Sequence, residues 1–127
     1  MFASVTKRIR ICAAHHIPNH RGKCARPHGH NYTIDVTATG EINPETGMVI
    51  DFYDMKEHLK FVIESPCDHQ DLNLVYPDLI TTAENLAIRW LYEMCQLDGR
   101  YASIRVYETD DCYAEAFASY TLLKGVR

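Results

Sequence analysis

From Asn31 to Thr39 the chain alternates without a break: Tyr32, Ile34, Val36 and Ala38 on one side, Thr33, Asp35, Thr37 and Thr39 on the other. A period of two over that length fits a β-strand with one face buried and excludes a helix, whose apolar residues recur every three or four positions. A second alternating run, Ala3, Val5, Ile9 and Ile11 against Ser4, Thr6, Arg8 and Arg10, predicts another strand from Phe2 to about Ala13. The stretch between them, His15 to His30, holds Pro18, Asn19, Gly22, Pro27 and Gly29 and reads as a loop.

After a turn over Gly40–Gly47, where Asn43-Pro44 is the breaker, the apolar spacing of Met55, Leu59, Val62 and Ile63 predicts a helix from about Tyr53 to Glu64. Thr81-Thr82-Ala83-Glu84 fits a capping box, and Leu86, Ala87, Trp90, Leu91 and Met94 follow at helical spacing, with Gly99 just past the expected end. Two further strands are expected, about Tyr101 to Glu108 and Cys112 to Leu123, joined by Thr109-Asp110-Asp111. The order β-β-α-α-β-β predicts an α+β fold: a four-stranded antiparallel sheet with two helices on one face, in a single domain spanning residues 1–127. Such a sheet has two free edges and a small core, so pairing between copies of the chain is expected.

Composition narrows the function classes. With 46% hydrophobic and 24% charged residues and a net charge of −4, the chain has the balance of a soluble protein and no basic footprint for nucleic acid or an anionic membrane. No apolar run approaches the roughly 18 residues of a membrane span, and the N-terminus lacks the basic-then-apolar order of a signal peptide; a cytoplasmic location is expected. Five cysteines, at 12, 24, 67, 95 and 112, form no Cys-x-x-Cys pair, which argues against a disulfide scaffold or a zinc ribbon. Cys12, Cys67, Cys95 and Cys112 are read as packing residues.

Histidine is concentrated at one place. In an extended backbone the rings of His28 and His30 leave the same face, about 6.5–7 Å apart along the chain, and can converge on one ion. A third ligand is available at the end of the first strand, where spacing alone leaves both His15 and His16 open. Three neutral imidazoles with a fourth position left over describe a catalytic zinc site better than a closed structural one, although iron, copper or nickel also suits imidazole. His20 and His58 have no such company and are read as ordinary histidines.

Other candidates surround this cluster. Cys24 lies between Lys23 and Arg26, which favours thiolate, and it fits a reactive or a structural cysteine equally. Asp68-His69 fits a proton-transfer pair, but on local sequence a capping Asp beside a surface His is the commoner reading. Glu108 alternates with Val106 and Ile104 and points either inward toward a ligand's N–H edge or into water at the strand end. Glu84 reads as the acid of the capping box, and Thr82 as a helix start or a ligand contact.

These residues together resemble a known family. The run Ala13-Ala14-His15, then Lys23-Cys24-Ala25-Arg26-Pro27-His28-Gly29-His30-Asn31-Tyr32, is similar to the metal and cysteine segment of the 6-pyruvoyl-tetrahydropterin synthase superfamily. In the family's order follow Gly47-Met48-Val49-Ile50-Asp51-Phe52, Asp68-His69-Gln70-Asp71-Leu72-Asn73, Thr82-Ala83-Glu84-Asn85-Leu86 and Val106-Tyr107-Glu108-Thr109. Three residues between Cys24 and His28 resemble the bacterial 6-carboxytetrahydropterin synthase branch, since the animal pyruvoyl enzymes typically have a longer spacer. Cys67 and Thr81 depart from the usual pattern, at positions that carry no reactive group.

The resemblance implies the tunnelling fold, in which sheets join into a trimeric barrel, two trimers stack into a homohexamer, and active sites lie between subunits. It implies His15, His28 and His30 as zinc ligands with His16 outside the set, Cys24 as the proton acceptor, His69 beside Asp68 as a proton relay, and Glu108 as the acid that anchors a pterin and completes the relay. Thr82 and Glu84 fall in the motif lining the pterin pocket. The implied reaction converts 7,8-dihydroneopterin triphosphate to 6-carboxy-5,6,7,8-tetrahydropterin, acetaldehyde and triphosphate, with queuosine and other 7-deazaguanines as the family's expected destination. The alternatives are triphosphate elimination to 6-pyruvoyl-tetrahydropterin and a non-catalytic pterin-binding module.

Overall fold

A computed structural model describes residues 1–118. Strands β1 (Phe2–His15) and β2 (His28–Glu41) form an antiparallel pair that runs unbroken from Phe2↔Glu41 to His15↔His28. Both are longer than their alternation predicted, because each continues through the histidines that end the hydrophobic pattern. Strand β4 (Tyr101–Thr109) pairs antiparallel with β2, and β5 (Cys112–Phe117) with β4. The predicted continuation of the last strand beyond Ala118 lies outside the described residues.

The four expected antiparallel strands are joined by a fifth. Strand β3 (Gln70–Asp71) runs parallel to β1 opposite Ala13 and Ala14, which makes the order β3-β1-β2-β4-β5. Two residues have no periodicity to read, so only the fold reveals this edge.

Alternation sorts the sheet into two faces. Ile11, Ala13, Tyr32, Ile34, Val36, Ile104 and Val106 are buried under the helices. The other face is polar and pairs across the strands: Ser4 with Thr39 at 2.8 Å, Thr6 with Thr37 at 2.7 Å, and Arg8 with Asp35 through two bonds of 2.7 and 2.9 Å. These pairs hold the register, since a slip of one residue would turn every one of them into the core. Cys12 belongs to this open face by parity and Cys112 to the start of β5; both are exposed, so the packing role expected for them is corrected. Cys67 is buried as expected.

Helix α1 (Phe52–Leu59) is capped by Asp51, whose carboxylate accepts from Tyr53 N. It continues as a wider π-turn over Lys60–Glu64 and a last turn, α2 (Ser65–Cys67). The π-turn lies just before Pro66, which has no amide hydrogen to donate back along the helix. A short helix α3 (Leu72–Val75) follows, and then α4 (Ala83–Leu97). The cap of α4 is one residue later than the Thr81–Glu84 box requires. Thr82 Oγ1 accepts from Asn85 N at 3.2 Å, and Asn85 Nδ2 donates to Ile80 O at 2.9 Å. Glu84 therefore has no capping role; it sits in the first turn, where a negative charge suits the helix dipole.

Trp90 is the largest fully buried side chain, and its indole N–H donates to Tyr76 Oη at 2.8 Å. Replacing it with alanine removes that volume and the donor together. Trp90→Ala is expected to cost about 3–5 kcal/mol, seen as a lowered urea midpoint with an unchanged slope at fixed protein concentration. A loss below about 1 kcal/mol, the scale of a single hydrogen bond alone, would mean that α4 does not pack on the sheet as described.

Candidate metal centre

The register of β1 and β2 creates the cluster. His15 stands directly opposite His28, and His30 opposite Ala13, so His15, His28 and His30 leave one face at one end of the pair. Their ring centroids lie 4.5, 5.1 and 5.0 Å apart, and one nitrogen from each falls within 4.8 Å of the others. Parity decides what spacing left open: His15 shares its face with Ile11 and Ala13, and His16 does not belong to the cluster.

Two rings are held with a lone pair aimed inward. His15 Nδ1 lies 2.8 Å from the carbonyl oxygen of Thr81, and His28 Nδ1 lies 2.8 Å from that of Arg26. A carbonyl only accepts, so both Nδ1 atoms carry the hydrogen and both Nε2 atoms are left as acceptors or ligands. His15 is 1% exposed and its Nε2 has no hydrogen-bond partner. A buried nitrogen left without a partner is costly, and a cation held by the three rings would satisfy it. Burial, the largest influence on both, holds the pKa values of His15 and His30 below the ordinary imidazole value, which keeps them neutral as ligation requires. The residues fit a divalent metal.

The support behind His15 was not legible in the sequence. Thr81, fully buried, donates from Oγ1 to Asn73 Oδ1 at 3.1 Å. Asn73 brackets the main chain of His16, accepting from its N at 2.9 Å and donating to its O at 3.0 Å. Neither residue carries a local signal for this, because the contacts reach across 57 and 66 residues. The hydroxyl of Tyr32, whose ring is 5.3 Å from His30 and 6.0 Å from His15, was likewise missed; it is buried without a partner.

Glu108 joins the histidines. From the end of β4 it brings Oε2 to 3.7 Å from His15 Nε2 and 3.8 Å from His30 Nε2, which settles its direction as inward. It also lines a cleft with Glu84, Ala83 and Tyr113, next to the helix cap at Thr82.

Asp68 and His69 do form a pair. The Asp68 carboxylate is 3.1 Å from His69 Nδ1 and accepts from Cys12 N at 2.9 Å; that backbone bond is the main cause of its lowered pKa. His69 adopts a left-handed φ of 61°, uncommon for a side chain of its size, and is 78% exposed. Its cleft is formed with Cys12, Ala14 and Asn31 of the open face and also with Ala13, Gly29 and His30. His69 is not among the side chains that converge on the metal position.

Cys24 occupies a 3₁₀ turn (Lys23–Ala25), half-buried, tied to the end of β1 by Ile17 N donating to Cys24 O at 2.6 Å. Its sulfur is not in the ligand cluster. Of the remaining histidines, His58 bonds Tyr101 Oη at 2.6 Å and His20 accepts from Gly22 N at 2.8 Å, both ordinary roles. No helix among the described residues is long and apolar enough to cross a membrane.

A family model described as 6-pyruvoyl tetrahydropterin synthase matches residues 4–119. The human protein named 6-pyruvoyl tetrahydrobiopterin synthase is 35% identical over 127 residues, covering 86% of this chain and 87% of its own length. A Synechocystis protein named 6-carboxy-5,6,7,8-tetrahydropterin synthase is 32% identical over 120 residues, covering 90% and 92%. The solved structure of Caenorhabditis elegans 6-pyruvoyl tetrahydropterin synthase superposes with a TM-score of 0.86 at 23% identity, over 94% of this chain and 97% of that one.

Proposed function

As the chain belongs to the 6-pyruvoyl tetrahydropterin synthase family, we propose that it is a zinc-dependent carbon–carbon lyase. It converts 7,8-dihydroneopterin triphosphate and one water to 6-carboxy-5,6,7,8-tetrahydropterin, acetaldehyde and triphosphate. The observation that carries this is the buried, partnerless Nε2 of His15 within a three-imidazole cluster that faces Glu108. The three-residue spacer between Cys24 and His28 supports the carboxy branch, as does the Synechocystis relative. The 35% identity to the human protein favours a second reading, triphosphate elimination to 6-pyruvoyl-tetrahydropterin. The enzyme acts in the cytoplasm, as one domain over residues 1–127, and its product enters queuosine and 7-deazaguanine synthesis.

His15, His28 and His30 hold the ion, which when bound polarises the side-chain hydroxyls of the substrate. The Thr81 and Arg26 carbonyls fix two of these rings in the ligating tautomer. Cys24, as thiolate, removes a proton from the side-chain carbon next to the pterin ring. His69, oriented by Asp68, moves a proton on the opposite side. Glu108 accepts from the amino and ring N–H groups of the pterin and fixes its plane, with Thr82 and Glu84 lining the same pocket. His69 lies outside the histidine cluster, and in this reading the complete site takes His69 from a neighbouring copy, in a homohexamer of two stacked trimers.

Incubation of the zinc-loaded protein with 7,8-dihydroneopterin triphosphate, with products identified by mass spectrometry, tests the reaction. Carboxytetrahydropterin with acetaldehyde is expected; pyruvoyl-tetrahydropterin without acetaldehyde would move the protein to the sister activity, and no turnover with zinc bound would leave a binding module. Glu108→Ala is expected to weaken pterin binding, measured by fluorescence titration, by about 10-fold or more, since a charged hydrogen-bonding group is worth roughly 1.5–3 kcal/mol. An unchanged affinity would remove Glu108 from the pterin pocket.

A further inference from the structure

We infer that Glu108 Oε2 is itself a ligand of the metal that His15, His28 and His30 hold. The inference rests on the metal reading of the histidine cluster and is independent of which pterin is the substrate.

The geometry carries it. Oε2 is nearly equidistant from two ring nitrogens, 3.7 Å from His15 Nε2 and 3.8 Å from His30 Nε2. Both distances exceed a hydrogen bond, so no proton is shared across either gap. His15 could not supply one in any case: its hydrogen is on Nδ1, directed to the Thr81 carbonyl, and its Nε2 presents a lone pair toward the carboxylate. Lone pairs on nitrogen and on an anionic oxygen facing each other across such a gap repel, unless a cation lies between them. A zinc ion with bonds of about 2.0–2.1 Å to nitrogen and oxygen has ligand atoms about 3.3 Å apart along each edge of its tetrahedron. The two Glu108 distances are within about half an ångström of that edge.

The arrangement also has a chemical advantage. Three imidazoles leave the full double charge of the ion in a partly buried site, and an anionic ligand halves it. Only Oε2 is committed. Oε1 remains available to the N–H groups of a ring in the cleft that Glu108 shares with Glu84 and Tyr113, so one carboxylate connects the metal to the ring pocket. Zinc sites of this kind expand to five-coordinate, which leaves room for a substrate oxygen beside the carboxylate.

The test uses Co²⁺ as a spectroscopic substitute and no pterin. Metal-free full-length protein, Glu108→Gln and Glu108→Ala are titrated with Co²⁺ while the visible ligand-field bands are followed, after circular dichroism has verified that each variant is folded. Glutamine keeps the shape of the side chain and alanine removes it, so the pair separates loss of charge from loss of the ligand. The unsubstituted protein is expected to take up one Co²⁺ per chain with the intense bands of a four-coordinate site. In both variants the bands should shift or weaken and binding should fall by at least about 10–100-fold, the range seen when even an outer partner of a metal ligand is lost. Bands identical in position and intensity in all three proteins would overturn the inference, whatever the affinities, while leaving the histidine site intact. Failure of the unsubstituted protein to bind Co²⁺ would instead overturn the metal reading, and the inference with it.

Discussion

His28→Ala is expected to abolish stoichiometric metal binding while leaving the fold intact. His28 is at the first position of β2, half-buried, and its ring is held by the Arg26 carbonyl two residues back, not by the core. Removing the ring therefore costs little packing. It does remove one of three imidazole ligands, and since losing even an outer partner weakens binding about 10–100-fold, losing a direct ligand should exceed about 100-fold. After dialysis against a weak chelator, elemental analysis should find about one zinc per chain in the parent protein and little in the variant.

Thermal unfolding provides a second readout. A ligand that binds only the folded state stabilises it by mass action, so added Zn²⁺ should raise the Tm of the parent protein and leave that of His28→Ala unmoved. His16→Ala is the internal control: next to His15 in sequence, outside the ligand cluster, and bonded to Asn73 only through its main chain, it should bind metal normally. Unchanged zinc stoichiometry in His28→Ala would overturn the metal assignment altogether.

The difference between these two neighbours shows how far local pattern reaches. Period-two alternation located β1, β2 and β4, and the parity of β1 separates His15 from His16 once its partner strand is known. The pattern does not identify that partner or its register; pairing His15 with His28 is a fact about residues 13 apart that the turn between them must permit. The helices were legible from apolar spacing, but the cap of α4 was misplaced by one residue because two adjacent threonines offer the same local chemistry; the structure chooses Thr82 and buries Thr81 behind His15. What stayed invisible was non-local: the β3 edge, the Asn73–Thr81 support, and the position of His69 outside the histidine cluster. Asp68-His69 could be read as a pair, and they are one. What holds them is again distant in sequence: Cys12, 56 residues upstream, donates its N–H to the Asp68 carboxylate.

Cys24→Ala is expected to retain fold, metal and substrate affinity while turnover falls by about 10²–10⁴-fold, the usual worth of a positioned acid–base group. The turn that carries Cys24 is held through its backbone: Ile17 N to Cys24 O at 2.6 Å, Arg26 N to Lys23 O at 3.0 Å and Ala25 N to Gly22 O at 3.2 Å. None of these bonds uses the thiol, so alanine leaves the turn in place. The sulfur is also outside the group of ligand atoms, so zinc content should match the parent. Serine should fare no better than alanine, because a hydroxyl is a far weaker acid than a thiol and offers no anion to accept the proton. The diagnostic is the partition of the loss. A proton acceptor acts in the transition state, so kcat and kcat/KM should fall together with KM little changed; a cysteine that merely shapes the pocket would raise KM and spare kcat. Rates like those of the parent protein in Cys24→Ala would remove the thiol from the mechanism and transfer the proton abstraction to His69.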